Sequence, residues 1–244
     1  MVRIPRDAYE ISLRLCELRA GNFQNQYVSP KLRALAADDA RLTPHIEGVI
    51  GYIGDICAAI WLGIDPEEMI VQMLIETDLL QHRDECDLRF RNWRVDVKVE
   101  DIPPHLHAAV LERTIDGEAP YGKRLLNGNQ FDNNYGNVDI YLFSLLDTAD
   151  PRLATEWYPV GYIMAEDVRR VCPRPVAERF PVPAYAIPTS SLEDPLELLT
   201  IGPRAADPHL PGAQEEEGLL QAIDADRLGM ILERLDLGNM HIRQ

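Results

Sequence analysis

The chain has 244 residues, 46% of them hydrophobic and 26% charged, and it carries a net charge of −16. A chain of that size buries most of its apolar surface without cross-links, and this composition is not that of a disordered protein. The acidic balance argues against a broad basic surface that grips nucleic acid without specificity and leaves room for a local basic groove.

Four cysteines, Cys16, Cys57, Cys86 and Cys172, form no C-x-x-C pair. Free, mostly buried thiols in a reducing setting are expected. The opening residues MVRIPRDAYE lack the apolar run of a signal peptide. The longest apolar stretch, residues 56–64, is too short to span a bilayer. The expectation is a soluble, cytoplasmic protein with no membrane partner.

Residues 7–19 carry apolar side chains at helical spacing and end before Gly21, which predicts a first helix. Residues 30–42 predict a second. Thr43-Pro44-His45-Ile46-Glu47 reads as a helix start, with a threonine cap, a proline at the first position and a carboxylate in the first turn. That helix runs through residues 48–62 to Gly63. It is apolar nearly all round, so it is expected at the centre of the fold. Gly48, Gly51 and Gly54 form a stripe that implies close packing, and Asp55 sits beside it. Residues 65–80 fit a helix, or a strand over 70–75.

Residues 87–99 (DLRFRNWRVDVKV) alternate apolar and polar with a break at Arg91-Asn92, the pattern of a β-hairpin. Asp96 and Lys98 then share one face, and Trp93, Val95, Val97 and Val99 share the other. Residues 102–137 read as a long polar loop with one short helix at 105–113. Strands are expected at 138–146 and 157–164, a helix at 166–171 and an extended piece at 185–188. A helix at 190–199 opens on a serine, with Glu193 completing a capping box. Residues 202–217 read as an acidic, proline-containing linker. Residues 218–237 read as an amphipathic helix that docks back or forms a homodimer. The organisation expected is an N-terminal helical extension (1–45), a core (46–201), and a linker with the terminal helix (202–244).

Hydrolysis of a phosphodiester needs an attacking water, a stabilised pentavalent phosphorus and help for the leaving oxygen. A hard cation held by carboxylates supplies these. Asp87, Asp96 and Lys98 form D-x₈-D-x-K, with both charges of the second strand set between valines, where they need partners or a cleft. The same residues also suit the wet face of a hairpin, paired with each other or with Arg89 and Arg91. Among other candidates, His45, His82, His105, His107, His209 and His241 form no metal pattern. No phosphate-binding glycine loop and no G-x-S-x-G elbow occurs. Lys123, Arg124 and Gln130, in the expected loop, are candidate substrate contacts.

The stretch from Gly51 to Ile64 resembles the G-x-x-G-E-x-x-x-A-x-x-L-G-I helix of the PD-(D/E)XK nuclease superfamily. Residues 87–98 are similar to its metal-binding hairpin, and residues 138–143 and 161–166 to the elements that follow. The resemblance covers about residues 46–200. It implies an α/β, restriction-endonuclease-like fold: a mixed β-sheet core flanked by helices, with extra N-terminal helices and a C-terminal helix. It further implies a Mg²⁺- or Mn²⁺-dependent nuclease acting on DNA. Asp87, Asp96 and Asp55 would be metal ligands and Lys98 the catalytic lysine. Cys86 stands where the motif's proline would be, and Asp55 where many members carry glutamate; Glu47 is the alternative helix acid. An RNA-cutting toxin or defence enzyme is a further reading. The alternative from another class is a catalytically silent binding or assembly module of the same fold in a prokaryotic or phage system.

Overall fold

The two periodicities in the sequence resolve into strands and helices of a mixed α/β fold. The computed structural model describes residues 1–19, 30–70, 86–133, 135–176 and 183–204. The strands are β1 (Val2–Arg3), β2 (Leu88–Phe90), β3 (Trp93–Glu100), β4 (Lys123–Asn127), β5 (Ile140–Leu146), β6 (Glu156–Met164) and β7 (Ala184–Pro188). The helices are α1 (Ala8–Arg19), α2 (Pro30–Leu35), α3 (Ile46–Leu62), α4 (His107–Leu111), α5 (Gly128–Asn133), α6 (Ala165–Val171) and α7 (Pro195–Leu198). Residues 66–70 are also helical.

A five-stranded mixed sheet has the order β1-β6-β5-β3-β2, and a separate ribbon pairs β4 with β7. Strands β3 and β5 run parallel, and the other neighbours are antiparallel. Alternation along the strands feeds two cores. Val95, Val97, Ile140, Leu142 and Trp157 pack with α1 and α3 on one face. Tyr141, Phe143, Leu145 and Ile163 pack with Phe131, Val168 and Tyr185 on the other. The sheet is thus a middle layer with helices on both sides, as expected for an α/β protein.

The β2–β3 turn places Arg91 at φ 50° and Asn92 at φ 67°. Positive φ at both central residues is what a twist-matched hairpin turn requires. Residues 201–204 then clasp this hairpin. Arg91 Nη1 donates to the Ile201 carbonyl at 2.7 Å, and Trp93 Nε1 to that of Gly202 at 2.8 Å. The Arg204 N–H donates to the Arg91 carbonyl at 3.0 Å.

Several local expectations are corrected. The second helix stops at Leu35 rather than at residue 42. Thr43 does not cap α3: its hydroxyl donates to the carbonyls of Ala36 at 2.6 Å and Asp39 at 2.8 Å, closing the preceding turn. Gly63 ends α3 as expected, with φ 74°. The long loop at 102–137 holds β4 and α5 as well as α4. The helix expected at 190–199 is only α7, capped by Asp194, whose carboxylate accepts the Leu196 N–H at 2.9 Å. Glu193 cannot join a capping box, because its backbone exchanges hydrogen bonds with Tyr162 at 2.9 and 3.2 Å. The expected terminal helix at 218–237 and most of the 65–80 segment lie outside the described residues. Among the described residues no helix is long and apolar enough to cross a membrane.

Candidate active site

The site begins in the hairpin's register. Leu88 pairs with Val95, so one step further along the ribbon sets Asp87 across from Asp96. The Asp87 N–H donates to the Val95 carbonyl at 3.0 Å, and the Val97 N–H donates to Asp87 Oδ2 at 2.7 Å. Backbone bonds therefore fix Asp87 at the mouth of the ribbon. The pleat turns Asp96, Lys98 and Glu100 to this same face and sends Val95, Val97 and Val99 toward α3. Lys98 Nζ lies 2.5 Å from Asp96 Oδ1. Asp96 is only 4% exposed, whereas the Lys98 side chain keeps 23% of its surface. The lysine is therefore the more exposed member of a pair whose acid is buried.

The electrostatics follow from this crowding. Burial, reinforced by the Asp96 charge, pushes the Asp87 carboxyl up to about 8, against the opposing pull of Lys98 and the Val97 N–H. Burial by itself would lower Lys98, but Asp96 and Asp87, with Asp55 further off, outweigh it and hold the ammonium above its ordinary value. Tyr141, the register partner of Asp96 on β5, is raised by burial and then by Asp96, Asp87 and Asp132. Its phenol keeps its proton.

Asp55 reaches this cluster differently. It is 5% exposed on α3, and α3 packs on the Val97–Val99 side of the sheet. A Cβ added at Gly54 would stand 2.1 Å from Val99 Cγ2. The glycine is what lets the helix lie this close to β3. From there the Asp55 charge acts on Lys98 and, after burial, helps push the Cys57 thiol up to about 12. Asp87, Asp96 and Lys98 are gathered on the ribbon, and Asp55 adds its charge to Lys98 from α3. Among the described residues no group of three or more His, Cys, Asp or Glu side chains is drawn together for a metal ion.

Glu100, two residues beyond Lys98, was not singled out in the sequence, although the D-x-K-x-E alternation puts it on the same face. It pairs with Arg124 and accepts the Leu125 N–H at 3.2 Å. Burial raises its pKa against the pull of Arg124. This corrects the expectation for Arg124, which is 1% exposed and bonded to Glu100 and the Tyr121 carbonyl. It is part of the fold rather than a residue offered to substrate. Lys123 is half-buried, with Nζ 3.2 Å from Glu118 Oε1. Gln130 is exposed on α5, its N–H held by Asn127 Oδ1 at 3.2 Å.

A cavity of about 1250 Å³ lies elsewhere, between the N-terminal residues and the C-terminal end of α3. It is lined by Arg3, Arg6, Asp7, Asp65 and Glu67 among others, and by none of the expected site residues. Compared with protein-family models, with curated proteins and with solved structures, the chain matches none.

Proposed function

We propose that the chain is a divalent-metal-dependent nuclease of the PD-(D/E)XK type that hydrolyses phosphodiester bonds in DNA. One observation carries the reading. Asp87, Asp96 and Lys98 meet on one face of the β2–β3 ribbon, with Lys98 Nζ 2.5 Å from Asp96 Oδ1 and Asp87 set across from Asp96 by the hairpin register.

The donor set suits Mg²⁺ or Mn²⁺. These are hard cations that need only one or two carboxylates, with water, backbone oxygen and substrate phosphate filling the remaining positions. Asp87 and Asp96 would hold the ion, and their mutual repulsion is the kind that a cation relieves. When bound, such an ion acts as a Lewis acid and lowers the pKa of coordinated water. Lys98, held by Asp96, would meet the charge that grows on the phosphate oxygens. Asp55, buried on α3, would complete the acidic surroundings of the ion and adds to the charges that favour the Lys98 ammonium.

The test is cleavage of supercoiled, linear duplex and single-stranded DNA, and of RNA, by purified protein with Mn²⁺ beside an Asp96→Ala control. Cleavage by the first and not by the second supports the reading. Equal behaviour of the two on every substrate overturns it.

The net charge of −16 favours a second reading, a binding or assembly module of the same fold without catalysis. In that case Mn²⁺ leaves the melting temperature unchanged.

A further inference from the structure

The second core reaches the surface beside the acid cluster. Phe131, 1% exposed, is its hub. The Phe131 ring centroid lies 5.7 Å from that of Tyr141, 4.7 Å from that of Tyr185 and 5.6 Å from that of Tyr135. Tyr141 is Asp96's neighbour across the sheet, so Tyr135 stands two ring contacts from the acids. Tyr135 is also the outermost ring, 48% exposed.

Arg169, on α6, lays its guanidinium 4.3 Å from the Tyr135 centroid and 5.6 Å from that of Phe131. Asp132 holds Arg169 at 2.9 Å and accepts the Tyr185 hydroxyl at 3.0 Å. A bridge from Tyr135 to Val138, around Gly136 at φ 93°, anchors the backbone beneath the ring. An exposed ring and a guanidinium plane are thus both held in place, which lowers the entropic cost of binding a flat partner.

We infer that Tyr135 and Arg169 form a stacking platform for an unpaired base, which makes single-stranded nucleic acid the substrate class. This rests on the nuclease reading. Aromatic rings and arginine planes take up bases whose faces are free, whereas an intact duplex hides those faces in its own stack. Stacking takes up a base through its face rather than its phosphate charge, which suits a chain of net charge −16.

Binding is measured apart from cleavage, by fluorescence anisotropy of labelled dT₁₀, U₁₀ and a blunt duplex with the full chain in EDTA. A single strand, deoxy or ribo, binds the wild type more tightly than duplex does. Tyr135→Ala weakens that binding by about tenfold or more, as loss of one stacked base does. Tyr135→Phe keeps it, Arg169→Gln weakens it, and the melting temperatures of all variants stay within a degree or two of wild type. Duplex bound as tightly as single strand, no detectable single-strand binding, or full affinity in Tyr135→Ala each overturns the inference. Adding Mn²⁺ separates the two readings. Strands bound through Tyr135 but left uncut sink the nuclease and spare the platform. Cutting that Tyr135→Ala performs with an unchanged KM sinks the platform and spares the nuclease.

Discussion

Asp87 and Asp96 face each other across the open end of the β2–β3 ribbon, and the two are held differently. The Val97 N–H donates to Asp87 Oδ2 at 2.7 Å, while Asp96 leans on Lys98 at 2.5 Å. Burial, with the Asp96 charge beside it, raises the Asp87 carboxyl against the pull of one ammonium.

The raised carboxyl sets a pH dependence. Burial and the Asp96 charge raise Asp87 from its ordinary 3.8 to about 8. The folded chain therefore holds the proton over a range where the unfolded chain has lost it. The associated stability is complete below about pH 4 and fades as pH rises through about 8. Metal-free protein should melt at a lower temperature at pH 8.5 than at pH 5. Asp87→Asn keeps an acceptor for Val97 and removes the charge. It should flatten this trend and raise the metal-free melting temperature at pH 8.5 by roughly a few degrees. The same variant should abolish any upward shift given by Mn²⁺. A wild-type melting temperature that climbs from pH 5 to 8.5, with Asp87→Asn tracking it, contradicts the assignment.

Arg124 gives a contrast between a folding role and a substrate role. Removing it strands Glu100 on the half-buried face of β3. Arg124→Ala should cost about 3 kcal/mol in urea denaturation, as broken buried pairs do. The folded variant should bind oligonucleotide with unchanged affinity. A stable variant with weakened binding would instead restore Arg124 as a substrate contact.

How much of this was legible in the sequence depended on whether local pattern and tertiary contact agreed. The hairpin and the shared face of Asp96 and Lys98 followed from alternation and a two-residue break, because the turn and the pleat are local properties. The central helix and its stop at Gly63 followed from composition for the same reason. Strand β4 was hidden because five residues, KRLLN, carry too little alternation to stand out, and their partner β7 lies 57 or more positions later in the register. The capping box at Ser190–Glu193 was locally sound but lost to a bridge between Glu193 and Tyr162. The position of Asp55 was the least legible. Residue order placed it beside a glycine stripe that packs closely at Gly48 and Gly54 but not at Gly51, and which side of the sheet received the helix was fixed only by the valines of β3.

Two of the three glycines of α3, Gly51 and Gly54, should respond oppositely to an added methyl. At Gly54 a Cβ would meet Val99 Cγ2 at 2.1 Å, while at Gly51 it would meet nothing within 4 Å. Gly51→Ala should stabilise the helix by about 0.5–1 kcal/mol through its better propensity. Gly54→Ala should destabilise by about 1–3 kcal/mol through overpacking, and should lower activity by pushing β3 at Val99, one residue from Lys98. Val99→Ala added to Gly54→Ala should recover part of both losses. Additive losses in the double variant, measured by urea midpoints, would place the clash elsewhere.

The buried pair Arg94–Asp139 holds β3 to β5 just before the site and gives a second, opposite pH response. Arg94 donates to Asp139 through Nε at 3.0 Å, through Nη2 at 2.9 Å and through its backbone N–H at 3.0 Å. Arg204 adds a contact at 3.2 Å. Burial alone would raise Asp139, but these bonds win and hold its carboxyl below the usual range. A depressed carboxyl contributes stability that is present above the unfolded value near 4 and is lost as pH falls through the folded one. Asp139→Asn removes the charge that balances a nearly inaccessible guanidinium, so it should cost about 3 kcal/mol at pH 7. The deficit relative to wild type should shrink as pH falls below about 4, where the wild-type chain begins to protonate its own Asp139. Urea midpoints of the two proteins at pH 7, 4 and 3 check this. A gap that stays constant, or widens in acid, would show that the carboxylate is not what holds Arg94 in place.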